Sequence, residues 1–214
     1  MKYIKMLGLA VVAAAALMAM VGAGTASAKE GVLCSTATDP CTSKWAVPTT
    51  LDFSLTSGTT AKLVDTSNNT LDSCTTSTVH GVLTANPSAS GTATGEISKE
   101  GLTWGVGGSC TVTTDTIVPG KLVIEAEDNS GNGWVYEDTG SKTEVTVNVF
   151  SSCNYGVEGG TRIGTLKEGK PATFIANAVA KKLAGGFLCP ETTKWTASYE
   201  LTAPKETTLY VSHK

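Results

Sequence analysis

The stretch Trp195–Leu201, "WTASYEL", sets Trp195, Ala197, Tyr199 and Leu201 on one side of a polar alternation. Strict period two over seven residues describes an extended strand with one apolar face, because successive strand side chains point to opposite sides. The habit recurs along the chain. "TLDFSLT" places Leu51, Phe53 and Leu55 in phase, and "EVTVNVF" does the same with Val145, Val147 and Val149. "KLVIEAE" (121–127) and "TLYVS" (208–212) are further strands, in a Thr-rich, β-branched background. Turn clusters separate them: "TSGTT", "TSNNT", "NPSASG", "DNSGNG", "EDTGS" and "KEGKP". About ten to twelve short strands at this spacing predict an all-β fold, an antiparallel β-sandwich or a partly closed barrel. One-sided alternation favours the sandwich.

The segment "FIANAVAKKLAGG" (174–186) fits two periods. A short helix capped by Gly185 is one reading. Phe174, Ala176, Ala178 and Ala180 at period two give the other, a strand, and the all-β surroundings favour it.

The N-terminus reads as a leader. Lys2 and Lys5 precede an uncharged run whose apolar centre is "MLGLAVVAAAALMAMV", and "GTASA" ends it with Ala26 and Ala28 at a small-x-small site. An uncleaved anchor is the rival, since a spanning helix needs about 20 apolar residues. The Ala/Gly content and small-residue ending fit cleavage better. Residues 1–28 are therefore expected to be a cleaved signal peptide, leaving 29–214 as one exported all-β domain with no stable membrane span. The 16 basic residues less Lys2 and Lys5 leave 14 against 19 acidic ones, a formal charge of −5. The charges are dispersed with no basic stripe, which argues against nucleic acid and anionic membranes as partners.

Cys34, Cys41, Cys74, Cys110, Cys153 and Cys189 all follow the leader. An even count in an exported chain predicts disulfides. Zinc is the competitor, but there is no C-x-x-C pair and the only histidines are His80 and His213. Six cysteines admit fifteen connectivities. Cys74 to Cys110 and Cys153 to Cys189 span the same distance, related by one shift along the chain. In-order pairing is therefore the simplest scheme, leaving Cys34–Cys41 as a short loop. The repeated spacing admits a duplication of two units around 74–110 and 153–189.

Several stretches together carry a resemblance: Ser73-Cys74 with "TSTVHG" downstream, Cys110 followed by "TVT", Cys153-Asn154-Tyr155-Gly156, and "LCPETTKWTASYELTAP". They resemble a group of bacterial secreted, six-cysteine, Thr/Ser/Gly-rich β-proteins. The resemblance implies a β-rich exported domain with in-order disulfides, and brings no activity, cofactor or catalytic residue.

Searching for chemistry yields little. His80 sits on the strand face opposite Val79, and His213 is penultimate. No G-x-S-x-G, H-E-x-x-H or phosphate loop occurs, so no catalytic, cofactor or metal residue is assigned. Glu125 and Glu127 stand two apart on one strand face, and glycosidases need only two carboxylates. Asp128, Ser130, Asn132 and Gly133 match the first half of a calcium loop, but position 12 is Thr139 and no helix flanks it. A hairpin turn is the preferred reading of Asp128–Gly133. Trp45, Trp104, Trp134 and Trp195 are candidates for a sugar-stacking face, Trp134 being the one expected partly exposed. The expected function is a non-catalytic secreted or cell-surface module, structural or binding a cell-surface glycan or protein. The alternative is a secreted glycan hydrolase using Glu125 or Glu127.

Overall fold

The structure, a computed structural model, describes residues 30–88, 91–118, 120–148 and 151–213. The expected leader, residues 1–28, lies outside the described residues. Fourteen strands and no helix are present among them: β1 (Val32–Cys34), β2 (Thr49–Leu55), β3 (Ala61–Asp65), β4 (Thr70–Ala85), β5 (Ala93–Gly108), β6 (Val112–Val118), β7 (Gly120–Ala126), β8 (Gly133–Glu137), β9 (Lys142–Asn148), β10 (Ser152–Val157), β11 (Arg162–Lys167), β12 (Thr173–Ala184), β13 (Thr192–Ala203) and β14 (Tyr210–Ser212). All strand ladders are antiparallel. The fold is all-β, and of the two expected arrangements it is the barrel, fully closed rather than a sandwich.

Closure runs through four long strands. In a lower tier, β13 pairs β2, β2 pairs β4, and β4, β5, β7, β8, β11 and β12 follow in turn. β12 then pairs β13 and completes a ring of eight strands. The far halves of the same long strands extend an upper tier. There β3 bridges β13 and β4, while β10, β9 and β6 continue outward from the end of β12. β4 and β5 are 16 residues each and β12 and β13 are 12 each, enough to serve both tiers. Interior packing divides the same way. One cluster includes Leu51, Phe53, Ile124, Val135 and Leu166, and a second joins Leu63, Val147, Tyr155 and Val157.

Residues 174–184 form a strand, with Ala176, Ala178 and Ala180 buried and Ile175 and Val179 exposed. The "WTASYEL" stretch is equally regular, with Ala197, Tyr199 and Leu201 buried.

A two-stranded ribbon of β1 and β14 covers the lower end. Leu33, Leu209 and Val211 enter the lower core from it. Gly31 permits the close approach, because a Cβ there would stand 2.2 Å from the Ile124 carbonyl oxygen. Asn86 clasps the ribbon. Its amide oxygen accepts from the Leu33 N–H at 2.9 Å, and its amide nitrogen donates to the Leu33 and Trp45 carbonyls at 2.8 and 3.0 Å.

Three disulfides link Cys34–Cys41, Cys74–Cys110 and Cys153–Cys189, the in-order scheme. The two long ones are not architecturally equivalent. The first closes the β4–β5 hairpin, while the second ties β10 to the tip of the β12–β13 hairpin across a three-strand segment.

Candidate functional site

The site with the most chemical content is inside the barrel. Strand β12 turns Ala176, Ala178 and Ala180 inward, where neighbouring strands present Leu63, Val157, Trp195 and Tyr199. Three methyl groups cannot fill the space that larger residues would, and a cavity of about 110 Å³ remains where the tiers meet. A second cavity of about 70 Å³ lies in the lower tier, and Val79, Ile97, Ile163 and Phe174 line both.

Six of the residues lining the larger cavity carry polar groups: Trp104, Glu137, Thr143, Tyr155, Trp195 and Tyr199. Strand β8 alternates with Val135 and Glu137 inward and Trp134 and Tyr136 outward, so Glu137 occupies an apolar phase and is 2 % exposed. Its backbone is fully engaged, the N–H donating to the Thr161 carbonyl and the carbonyl accepting from the Gly160 N–H. The Thr143 hydroxyl donates to its carboxyl oxygens at 3.2 and 3.3 Å and is its only side-chain donor among the described residues. Burial pushes the Glu137 carboxyl up to about 7; the Thr143 hydrogen bond opposes this and the neighbouring Asp138 charge adds to it.

Tyr155 is fully buried, in phase with Cys153 and Val157 on β10. Its hydroxyl has no hydrogen-bond partner among the described residues, and the same holds for the Trp104 indole N–H. Tyr199, on the same cavity lining, is served. Trp195, packed edge-on to Trp104 at 4.4 Å, hydrogen-bonds Tyr199, whose hydroxyl also meets the Ser77 hydroxyl at 3.1 Å. Leaving a buried donor without an acceptor costs about 1–3 kcal/mol, so the two lone groups beside one cavity stand out.

Sequence reasoning did not single out Glu137 or Tyr155. The phase signal was present in both cases: Glu137 follows Val135 by two, and Tyr155 lies midway between Cys153 and Val157.

Of the residues that sequence did single out, Trp104 and Trp195 line the cavity and the others lie elsewhere. Glu125 and Glu127 occupy the outer wall at the end of β7, whose inward residues are Ile124 and Ala126. Neither lines the interior cavities, and they stand side by side rather than across a cleft. The Trp134 indole and Lys167, the latter at 3.3 Å, hold the Glu127 carboxyl below its usual range. The four tryptophans share no face. Trp45 donates to the Thr208 carbonyl beneath the barrel, Trp104 and Trp195 point inward, and Trp134 lies on the outer wall with the Arg162 guanidinium 4.9 Å over its ring. His80 is exposed and meets the Asp52 carboxylate across β2 and β4.

The Asp128–Gly133 segment is a hairpin loop between β7 and β8. The Asp128 carboxylate accepts from the Ser130 N–H at 2.7 Å, and the Asn132 side-chain oxygen accepts from the Glu168 N–H at 3.2 Å. Gly131, at φ +81°, makes the reversal, and Asn132-Gly133 leads into β8 rather than forming the turn itself. Buried Asp72 lies near Cys74 and Cys110, whose sulfurs are joined in their own bridge. Its carboxylate accepts the Thr111 N–H at 2.9 Å and fastens the start of β6 to β4. Comparison of the chain with family models, curated proteins and solved structures finds no match.

Proposed function

We propose that the protein is a non-catalytic, exported binding module that holds a small molecule inside its barrel. One observation carries the reading: an apolar cavity at the junction of the tiers, with Glu137 among its lining residues. An eight-stranded barrel is just wide enough either to be filled by side chains or to hold one small ligand. Here the alanines of β12 leave it unfilled. Binding sites of this type combine mostly apolar walls with a few placed polar groups. Export is supported by the leader pattern before Lys29 and by three disulfides, which persist in oxidising compartments.

Protein collected from the medium of an expressing culture tests both parts. Its N-terminus is expected at Lys29, and a secreted chain that retains Met1 would contradict cleavage. Benzene is expected to raise its thermal midpoint in proportion to the logarithm of concentration, since a ligand bound only by the native state stabilises it by mass action. Ala178→Val, which fills the cavity from β12, is expected to abolish that rise. A midpoint indifferent to benzene in the native chain would overturn the interior site and leave a purely structural module.

A further inference from the structure

We propose that a groove on the outer wall of the barrel, across β3, β13 and β12, binds an acidic oligosaccharide, carboxylated or sulfated. The groove opens to solvent and gives the protein a second ligand site besides the interior one.

The groove arises where β13 changes neighbours. Residues 193–196 of β13 pair β3 and 199–203 pair β2. At the exchange runs the β2–β3 loop, whose Gly58, Thr59 and Thr60 line an open groove of about 640 Å³. Ligand sites span about 300–1,000 Å³, and roughly 150 Å³ already holds one benzene, so the groove has room for more than one sugar ring. Its floor is a cross-strand grid. Lys62, Thr196 and Asn177 are register partners on β3, β13 and β12, and such partners share one face, here over roughly 10 Å. Lys194 stands two residues along β13 on that face, diagonal to Lys62 at roughly 7–8 Å between backbones. Ser198, on the other side of Thr196, lies opposite exposed Ile175.

Charge selects the ligand. Lys167, Lys170, Lys181 and Lys182 each have a glutamate partner. Lys62 and Lys194 have none among the described residues, and no carboxylate is among the described residues lining the groove. Asp65, opposite Thr193, is engaged by the N–H groups of Ser67 and Asn69 and by the Asn69 side-chain amide. The turn it holds sets Asn68, at φ +64°, on the groove wall. An acid-free groove with two unpaired lysines, on a chain with an acidic excess, is complementary to an anion. No aromatic ring is among its described lining residues, so a neutral sugar would find no stacking surface. The Thr59, Thr60 and Thr196 hydroxyls and the Asn68 and Asn177 amides both donate and accept, which suits a ligand rich in hydroxyls. Two lysines without an aromatic platform are a poor match for nucleic acid. A lysine ammonium is a point charge and serves carboxylate and sulfate alike.

Four tetramers test the class: tetragalacturonate, its neutral methyl ester, a sulfated galactose tetramer and tetraglutamate. Each is titrated into the intact secreted chain at low and at physiological salt, with the Thr196 and Asn177 backbone amide resonances as local reporters. An acidic saccharide is expected to move both resonances and to bind about tenfold more tightly than the ester, each lysine supplying about threefold. Lys62→Gln and Lys194→Gln break no side-chain hydrogen bond or ion pair among the described residues, so the melting point should hold. Each is expected to cut affinity about threefold and to weaken its salt dependence. Lys170→Gln makes the same change of net charge away from the groove and should leave affinity unchanged. None of these changes reaches the interior, so the benzene response should persist and the two sites stand or fall separately. The tighter of the carboxylated and sulfated tetramers identifies the anionic group, and either result keeps the class. Equal binding of the ester would overturn the role of charge, and tetraglutamate binding as tightly as the saccharides would overturn the saccharide. An effect of Lys170→Gln equal to those of the groove lysines, or no binding by either acidic saccharide, would remove the site.

Discussion

Glu137 is a carboxyl placed where the strand pattern calls for an apolar side chain, and that position gives it a measurable signature. Its value rises from an ordinary 4.5 to about 7 on folding, chiefly through burial. The folded state therefore holds the proton more tightly than the unfolded chain between those limits. The sign follows: the contribution to stability is fully present below about 4.5 and is lost as pH rises through 7. One pKa unit corresponds to about 1.4 kcal/mol, and with part of the difference screened the loss is on the order of 2 kcal/mol. Urea midpoints at pH 5 and pH 8 are expected to show the protein less stable at the higher pH. Glu137→Gln should flatten the difference and raise the midpoint at pH 8, because glutamine accepts the Thr143 hydrogen bond without a charge. An unchanged pH response in that variant would place the dependence on another group.

At the scale of elements, alternation made individual strands readable and left their partners hidden. Leu51, Phe53 and Leu55 mark β2 from sequence alone, and the inward residues of β12 are visible as Phe174 and the small Ala176, Ala178 and Ala180. The choice between sandwich and barrel was not legible there. Both arrangements bury one face of each strand, and the difference lies in which half of a long strand pairs with which neighbour. Residues 193–196 of β13 pair β3, while 199–203 pair β2, and no local property of "WTASYEL" announces the exchange. Cysteine spacing was more informative because it constrains distant elements directly. Closing a loop of 36 residues restricts the unfolded chain by about 4 kcal/mol in the entropic account, and the seven-residue loop by about 2. The longer loss is large against a typical net stability of about 5–15 kcal/mol. Paired replacement of Cys153 and Cys189 by alanine releases β10 from the β12–β13 tip and is expected to abolish secretion or lower the melting point severely. The same treatment of Cys34 and Cys41 should leave a folded, secreted domain. Comparable losses from both pairs would show that the Cys34–Cys41 loop supports more than its own turn.

For the whole molecule, the open question is whether two tiers behave as one folding unit. The repeated cysteine spacing hints at two units, but the strand ladders cut across that division. β4, β5, β12 and β13 run through both tiers, so separating the tiers would require breaking each of these strands in the middle. Cooperative units in proteins are usually contiguous supersecondary pieces, and here the pieces are shared. Leu33 is completely buried beneath the lower tier and Leu63 is 1 % exposed in the upper one. Truncating a buried leucine to alanine costs about 2–5 kcal/mol, so either change is large enough to report which amides respond. Native-state hydrogen exchange can then be read on β8, which belongs to the lower ring, and on β9, which belongs to the upper. If the long strands couple the tiers, Leu33→Ala lowers protection in β9 as much as in β8, and Leu63→Ala does the same in reverse, with one thermal transition throughout. Protection lost in β8 alone on Leu33→Ala, with β9 unchanged, would mean that the tiers open independently. The cavity at their junction would then be a hinge between two bodies rather than a void within one.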